Sequence, residues 1–222
     1  MTRPAAGFPR LRRGRDAGFT IIELVVTIAL FSIFMSLFIG VVVSLYRSST
    51  WVESTSRSSS GVLVAFQNLD RQVRYADSVN FPGEGASGAR YIEFRTPATS
   101  LATADVCTQW RLHPDGRLQF RQWNKGDAAS VSPWVTKMNI VIQESDPNYP
   151  FRLVPARTDG SAKQQVVLTI EAGSESEDSG TRTSTTFVAR NSSIASPSNV
   201  DSVTAGVSDT KVCTITGWEM RP

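Results

Sequence analysis

Apolar residues form one long run near the start of the chain and alternate with polar residues over much of the remainder. The run, residues 19–45, contains one charged side chain, Glu23, and a scatter of serine and threonine. About 20 apolar residues cross a hydrocarbon core, so this run predicts a transmembrane helix with slack for tilt. It is too long for the apolar region of a secretory signal, and no small-residue cleavage site follows it. The alternative is a buried core helix of a soluble protein.

A helical pattern continues beyond a serine-rich stretch at residues 48–60. Four apolar residues there are spaced by 4, 3 and 4 positions, which places them on one stripe of a helix: Val62, Phe66, Leu69 and Val73. We therefore predict a nearly continuous helix from about Phe19 to about Tyr75, with Gly61 as a candidate bend.

After Phe81-Pro82-Gly83 the period of the apolar side chains changes to two, which is typical of strands. The predicted strands are residues 90–96, 106–112, 117–123, 135–143, 164–171, 183–189 and, more weakly, 211–220. Asp115-Gly116 between two of them predicts a β-hairpin. Residues 146–155 and the acidic residues 173–180 are predicted to be loops. The fold class that follows is α+β, a long N-terminal helix packed on an antiparallel β-sheet head.

Arginine is concentrated ahead of the apolar run. Residues 1–18 hold five arginines and one acid, a local charge of +4 in a chain whose net charge is +3. The remainder is close to neutral, so the basic segment indicates the cytoplasmic side of a membrane rather than a polyanion partner. The predicted organisation is a basic leader (1–18), a transmembrane helix (19–46), its extracytoplasmic continuation (47–77) and a β-rich head with a C-terminal extension (78–222).

Glu23 is unusual because it lies inside the apolar run. A carboxylate within a membrane span costs about 2.5–3.5 kcal/mol on insertion scales, so such residues usually have a partner or a task. If the chain were cut after Gly18, the new amine of Phe19 would lie about one helical turn from this carboxylate. In an assembly, the amine of one subunit could neutralise Glu23 of the next. That contact would then set the register between the helices of neighbouring subunits.

The segment Gly18-Phe19-Thr20-Ile21-Ile22-Glu23-Leu24 resembles the processing and methylation motif of type IV prepilins and type II secretion pseudopilins. In that family a membrane aspartyl peptidase cleaves after the glycine and methylates the new N-terminal residue. The resemblance implies that Gly18 ends a cleaved leader, that Phe19 becomes the N-methylated terminus, and that Glu23 serves assembly. The hairpin and late strand of the head resemble, more loosely, J-type minor pseudopilins, from which the chain departs by continuing past Asn191.

The function that this resemblance implies is that of a minor pilin or pseudopilin, a structural subunit of a type IV pilus-like or type II secretion-like fibre. The implied partners are the prepilin peptidase, other pilin or pseudopilin subunits through the N-terminal helix, the inner-membrane assembly platform and the lipid bilayer. The implied location is the bacterial plasma membrane, with a single pass, the N-terminus cytoplasmic and the head outside, and later a cell-surface or periplasmic fibre. The alternative is a single-span anchor that presents a binding head, either an adhesin or a DNA-uptake receptor.

Two cysteines and one histidine, His113, are too few to assemble a zinc site. Cys107 and Cys213 are candidates for a disulfide if the head lies in an oxidising compartment, and two buried free thiols are the alternative. The sequence has no G-x-S-x-G nucleophile elbow, and His113 precedes a turn, so we expect no enzyme. No cofactor or metal is expected.

Two further groups of residues have a functional and a structural interpretation. One group is an acidic run whose spacing fits no EF-hand loop, so we expect a solvated loop and leave calcium binding as an open alternative. Its members are Glu171, Glu175, Glu177 and Asp178. Aromatic residues near two arginines resemble a base-stacking surface, but in period-two strands they more often fill a core: Trp110, Phe120 and Trp123. We therefore expect no nucleic-acid partner.

Overall fold

The computed structural model describes residues 18–100, 103–139, 141–142, 144–172, 181–217 and 219–222. The chain divides into two compact units, one ending at Trp51 and one from Val52 to Pro222. A single helix, α1 (Ile21–Val73), contributes to both. This confirms the predicted long N-terminal helix, and the candidate bend at Gly61 lies inside α1, which continues through it.

The second unit contains two antiparallel sheets, which confirms the predicted α+β class. The larger sheet has the order β1-β3-β4-β5-β6, with β2 also paired to β3. Its strands are β1 (Ser78–Val79), β2 (Gly83–Glu84), β3 (Arg90–Thr96), β4 (Val106–Leu112), β5 (Leu118–Asn124) and β6 (Val135–Met138). The smaller sheet has the order β7-β8-β9, formed by Phe151–Val154, Gln165–Ala172 and Thr181–Val188.

The stripe predicted on the second half of the helix packs against the main core. Leu69 and Val73 are fully buried, and Val62 and Phe66 are partly buried against the same cluster. Both sheets supply the remainder of this core, including Ile92, Phe94, Trp110, Leu112, Leu168 and Ile170. Each fully buried side chain of this size stabilises the fold by about 1.5–3 kcal/mol, so the stripe attaches this part of α1 to the head.

The hairpin predicted at Asp115-Gly116 is present. β4 and β5 pair from Val106↔Asn124 to Leu112↔Leu118, and the His113 N–H donates to the Arg117 carbonyl at 2.9 Å. Gly116 has φ +81°, a conformation that favours glycine, and a Cβ at this position would lie 2.9 Å from the Val141 carbonyl oxygen. Turn chemistry therefore determines the position of this hairpin.

One loop prediction and one strand prediction are wrong. Residues 146–155, expected to be a loop, contain β7, and residues 211–220, expected to be a weak strand, form turns and irregular backbone in the part that is described. β7 is only four residues long and lies between Pro150 and Pro155, so its pattern is too short to identify. The predicted loop at 173–180 lies outside the described residues.

The C-terminal extension covers the face of the larger sheet that points away from the main core. Side chains alternate along a strand, so Glu93, Cys107 and Gln109 face away from Ile92 and Trp110. Residues of the extension contact this second face throughout: Cys213 is bonded to Cys107, Arg221 pairs with Glu93, and the Met220 carbonyl accepts from Gln109 Nε2 at 2.6 Å. The central strands β3, β4 and β5 are therefore covered on both faces.

Removing the disulfide is expected to lower the free energy of unfolding by about 2–4 kcal/mol, because the bond closes a long loop and both cysteines are buried. Urea unfolding of the full chain in detergent measures this for Cys107→Ser with Cys213→Ser. Reductant should lower the stability of the wild type to that of the double variant and leave the double variant unchanged. A wild-type midpoint that does not respond to reductant would contradict this prediction.

Candidate processing and assembly site

The start of α1 is determined by a local cap. The Thr20 Oγ1 accepts a hydrogen bond from the Glu23 N–H at 3.3 Å, and the Thr20 carbonyl accepts from the Leu24 N–H at 3.1 Å. Thr-x-x-Glu is the sequence of a capping box, and an acid in the first turn also suits the helix dipole. Only the threonine half of the box is formed among the described residues, because the observed bond uses the Glu23 N–H and not its carboxylate. The local reason for an acid at this position is therefore the helix dipole.

Three hydroxyl groups in the apolar part of α1 donate hydrogen bonds to the helix backbone itself. Thr27 Oγ1 donates to the Glu23 carbonyl at 2.5 Å, Ser32 to the Ile28 carbonyl at 2.8 Å, and Ser36 to the Ser32 carbonyl at 2.8 Å. Such bonds remove the cost of placing a hydroxyl in lipid. The Glu23 carboxylate, by contrast, is exposed, and among the described residues it has no hydrogen-bond or ion-pair partner.

The apolar segment Ile21–Ser49 has 29 residues and is long and apolar enough to cross a membrane. At about 1.5 Å per residue it is about 44 Å long, against a hydrocarbon core of about 30 Å. Its large side chains are exposed all round, from Ile21 at 84% to Val43 at 44%. A helix that is apolar on every side needs lipid or other helices around it.

The structure brings three of the sequence-predicted residues together. Gly18 and Phe19 are exposed and directly precede the cap, and Glu23 occupies the first turn. The other residues of the proposed leader, 1–17, lie outside the described residues. Cys107 and Cys213 form a disulfide, with their Cα atoms 5.5 Å apart, far along the chain in the head.

The remaining candidates are structural where they are described. His113 lies at the hairpin turn, with its Nδ1 2.8 Å from Asp115 Oδ1. Of the acidic run only Glu171 is described, 3.9 Å from Arg182, and the other three acids lie outside the described residues. Within the described ranges, no group of three or more metal-ligating side chains is present.

The aromatic residues that resembled a base-stacking surface are packing residues. Trp110 and Phe120 stack with ring centroids 5.3 Å apart in the main core, and the Trp110 Nε1–H donates to Gln72 Oε1 on α1 at 2.7 Å. Trp123 is buried beside the disulfide in a second, smaller cluster. The expected packing against the helix is therefore right for the first two, whereas Trp123 packs against the C-terminal extension.

The sequence did not reveal a buried ion pair in the head. Glu93 is fully buried, and Arg221 donates to it twice, from Nε to Oε1 at 2.8 Å and from Nη2 to Oε2 at 2.6 Å. Burial opposes ionisation of Glu93, but the charge of Arg221, with hydrogen bonds from Arg221, Gln109 and Asn80, outweighs it and lowers the pKa of Glu93. The two partners are 128 positions apart, so no local signal links them.

The sequence also did not reveal that two arginines stack on the ring of Trp134. The guanidinium groups of Arg111 and Arg121 lie 3.9 Å and 4.2 Å from the centroid of its ring. Burial, together with the charge of Arg111, lowers the pKa of Arg121 to about 10, against the opposing effects of Tyr91 and Glu93. The stack is therefore part of the same polar layer that the C-terminal extension covers.

Comparison with known proteins identifies the N-terminal segment. Residues 13–39 match the family model described as the prokaryotic N-terminal methylation motif, and they include Gly18, Phe19 and Glu23. Searches of the curated proteins and of the solved structures returned no match. The motif is the N-terminus of type IV pilins and pseudopilins and implies processing by a prepilin peptidase. The N-terminal segment of the chain is thus prepilin-like, with an N-methylation motif at the start of an apolar helix.

Proposed function

We propose that this chain is a minor pilin or pseudopilin, a structural subunit of a type IV pilus-like or type II secretion-like fibre. The observation that carries the proposal is the methylation motif at the head of a 29-residue apolar segment that none of the described residues of the chain buries. Such a segment suits a subunit that waits in lipid and then packs against the same segment of its neighbours.

In this proposal the peptidase cleaves after Gly18 and methylates Phe19. The assembly platform of the inner membrane then moves the subunit from the bilayer into a fibre. The Glu23 carboxylate of one subunit neutralises the Phe19 amine of a neighbouring subunit, and residues 19–46 form the helix that packs against its neighbours in the fibre. Residues 47–77 connect it to the head, 78–222, which lies outside the cytoplasm.

A head with long irregular segments suits a subunit of low abundance, which lies at the tip of the fibre or primes its assembly. The loop-rich C-terminal extension supports a minor subunit over a major one, because large variable loops are poorly suited to a repeated fibre surface. The J-type assignment has only the strand pattern of the head in its favour. We propose no catalytic role.

The second candidate function is a single-span anchor that presents a binding head, such as an adhesin or a DNA-uptake receptor. It is favoured by the compactness of the second unit, which has its own core and disulfide. The two functions differ in what they require of Glu23, since an anchor has no use for a carboxylate in lipid.

The intact mass of the mature protein tests processing. We expect loss of residues 1–18 and addition of one methyl group, and we expect Gly18→Val to remain uncut because a branched side chain then occupies the scissile position. A Cβ at Gly18 meets nothing within 4 Å, so the substitution does not disturb the described fold. Gly40 is equally open, and Gly40→Val is the matched control that should be processed normally. An uncut wild-type chain in a host that has the peptidase would contradict the proposal.

A further inference from the structure

Residues 219–222 form a closing segment that lies over the second face of the larger sheet and contains no strand. Side chains of the sheet and of the turn before β3 bond to its carbonyls. These bonds are Gln109 Nε2 to the Met220 carbonyl, Tyr91 Oη to the Pro222 carbonyl and Ser87 Oγ to the Pro222 carbonyl, each at 2.6 Å. Among the described residues only one of its bonds joins two main chains, from the Ala86 N–H to the Arg221 carbonyl at 3.4 Å. The closing segment can therefore leave without opening any strand pair.

Two glycines leave room for this segment. A Cβ on Gly83 would overlap Arg221 Nη1, and a Cβ on Gly85 would lie 2.5 Å from the Arg221 carbonyl oxygen. Neither glycine has a positive φ, so the backbone itself does not require glycine at either position. The close approach of Arg221 is therefore what excludes a larger residue there.

The disulfide of the head belongs to the smaller buried cluster under the closing segment. Cys107 and Cys213 are at most 1% exposed. Three partly buried side chains pack against the cluster: Val131, Ile215 and Met220. A thiolate breaks a disulfide by attacking one of its sulfurs directly, so a reagent has no access to this bond while the cluster is covered.

The ion pair that holds the closing segment is joined to the backbone beside the disulfide through Asn80. Asn80 Nδ2 donates to Glu93 Oε2 at 3.3 Å and to the Val212 carbonyl at 3.0 Å, and its Oδ1 accepts from the Val212 N–H at 2.9 Å. Val212 directly precedes Cys213. Asn80 is fully buried, so a change at Glu93 that breaks these bonds leaves polar groups unsatisfied next to the disulfide.

We propose that the closing segment is a lid that controls access of thiols to the disulfide of the head. The Glu93–Arg221 pair holds the lid shut, and Met220 keeps the buried cluster covered. Thiols reach the bond when residues 219–222 swing out. This local opening costs less than unfolding of the head, because no strand pairing is broken.

The reaction that the lid controls is thiol–disulfide exchange with a dithiol such as dithiothreitol. One thiolate of the reagent attacks a cysteine sulfur, forms a mixed disulfide and releases the other cysteine as a thiolate. The second thiolate of the reagent then attacks the mixed disulfide and releases the remaining cysteine. The dithiol supplies two electrons and becomes a cyclic disulfide, and its two protons end on Cys107 and Cys213.

Reduction of the full chain by dithiothreitol in detergent, without denaturant, tests the proposal. Free thiols are trapped with iodoacetamide at successive times and counted by intact mass. Arg221→Met should raise the rate of reduction by at least about 100-fold, because it removes the pair that holds the lid shut. Gly83→Ala should raise the rate by at least about tenfold, since the added methyl group displaces the Arg221 side chain while both charges remain.

Leu69→Ala is the matched control. Leu69 is fully buried in the main core and is not part of the disulfide cluster, and its truncation destabilises the whole head by an amount similar to that of Arg221→Met. If thiols enter through the lid, reduction of Leu69→Ala should stay within about threefold of the wild-type rate. The wild-type rate should also respond little to urea below the unfolding transition, because opening of the lid exposes little surface.

Equal acceleration by Leu69→Ala and Arg221→Met would overturn the proposal, because reduction would then follow unfolding of the whole head. A wild-type chain that is reduced as fast as Arg221→Met would also overturn it, since the ion pair would then give the disulfide no protection. Gly83→Ala takes the place of Arg221→Met in both comparisons if the latter does not fold. Fibre assembly has no part in this measurement, so failure of the proposed function leaves the result unchanged.

Discussion

A Glu23→Val chain is expected to be cleaved after Gly18 and to stay in the membrane, but to be lost from fibres. Removing the carboxylate removes an insertion cost of about 2.5–3.5 kcal/mol, so the monomer gains stability in lipid. The proposed assembly contact then has an unpaired Phe19 amine. A loss of assembly free energy of similar size corresponds to about a 100-fold fall in incorporation into fibres. Quantitative mass spectrometry of sheared fibres against membranes measures it.

Glu23→Gln separates the charge from the helix cap. Glutamine suits the third position of a capping box as glutamate does, so α1 should begin at Ile21 as before. If the charge of Glu23 is what assembly needs, the glutamine variant fails like the valine variant. Normal incorporation of Glu23→Gln would show that assembly does not need the charge of Glu23, and absence of the wild-type chain itself from fibres would favour the anchored binding head.

An Arg221→Met chain is expected to lose about 3–5 kcal/mol of unfolding free energy, because it leaves the fully buried carboxylate of Glu93 unpaired. Urea unfolding of the full chain in detergent measures the loss. Glu93→Met with Arg221→Met should recover most of it, since two apolar side chains of similar volume leave no buried charge. A single variant as stable as the wild type would mean that the pair does not hold the C-terminal extension.

The pH dependence of this loss has a definite sign. Arg221 and its hydrogen bonds lower the pKa of Glu93 in the fold despite burial, so the pair stabilises the wild type above the ordinary pKa of glutamate. That contribution is lost as the pH falls through the lowered pKa. In Arg221→Met the hydrogen bonds from Gln109 and Asn80 alone oppose burial, so the pKa of Glu93 is higher than in the wild type and Glu93 becomes neutral at a higher pH. The stability difference between the two proteins should therefore narrow in acid, whereas a constant difference would contradict the assignment.

The sequence determined those parts of the protein whose causes are local. A run of apolar residues long enough for a bilayer, a Thr-x-x-Glu cap and an Asp-Gly turn each act within a few positions, so the membrane helix and the β4–β5 hairpin could be predicted. The stripe from Val62 to Val73 also predicted which face of α1 is buried. The motif around Gly18 and Glu23 was recognisable for the same reason.

Only the tertiary structure decided how the second face of the larger sheet is used. Period-two alternation assigns Glu93 to a face opposite the core, and from sequence alone that face would be exposed to water. The C-terminal extension instead covers it, through contacts between residues 106 and 128 positions apart. β7 depends on pairing with β8 for the same reason. Contacts at such distances are set by packing of the whole chain, which no short pattern encodes.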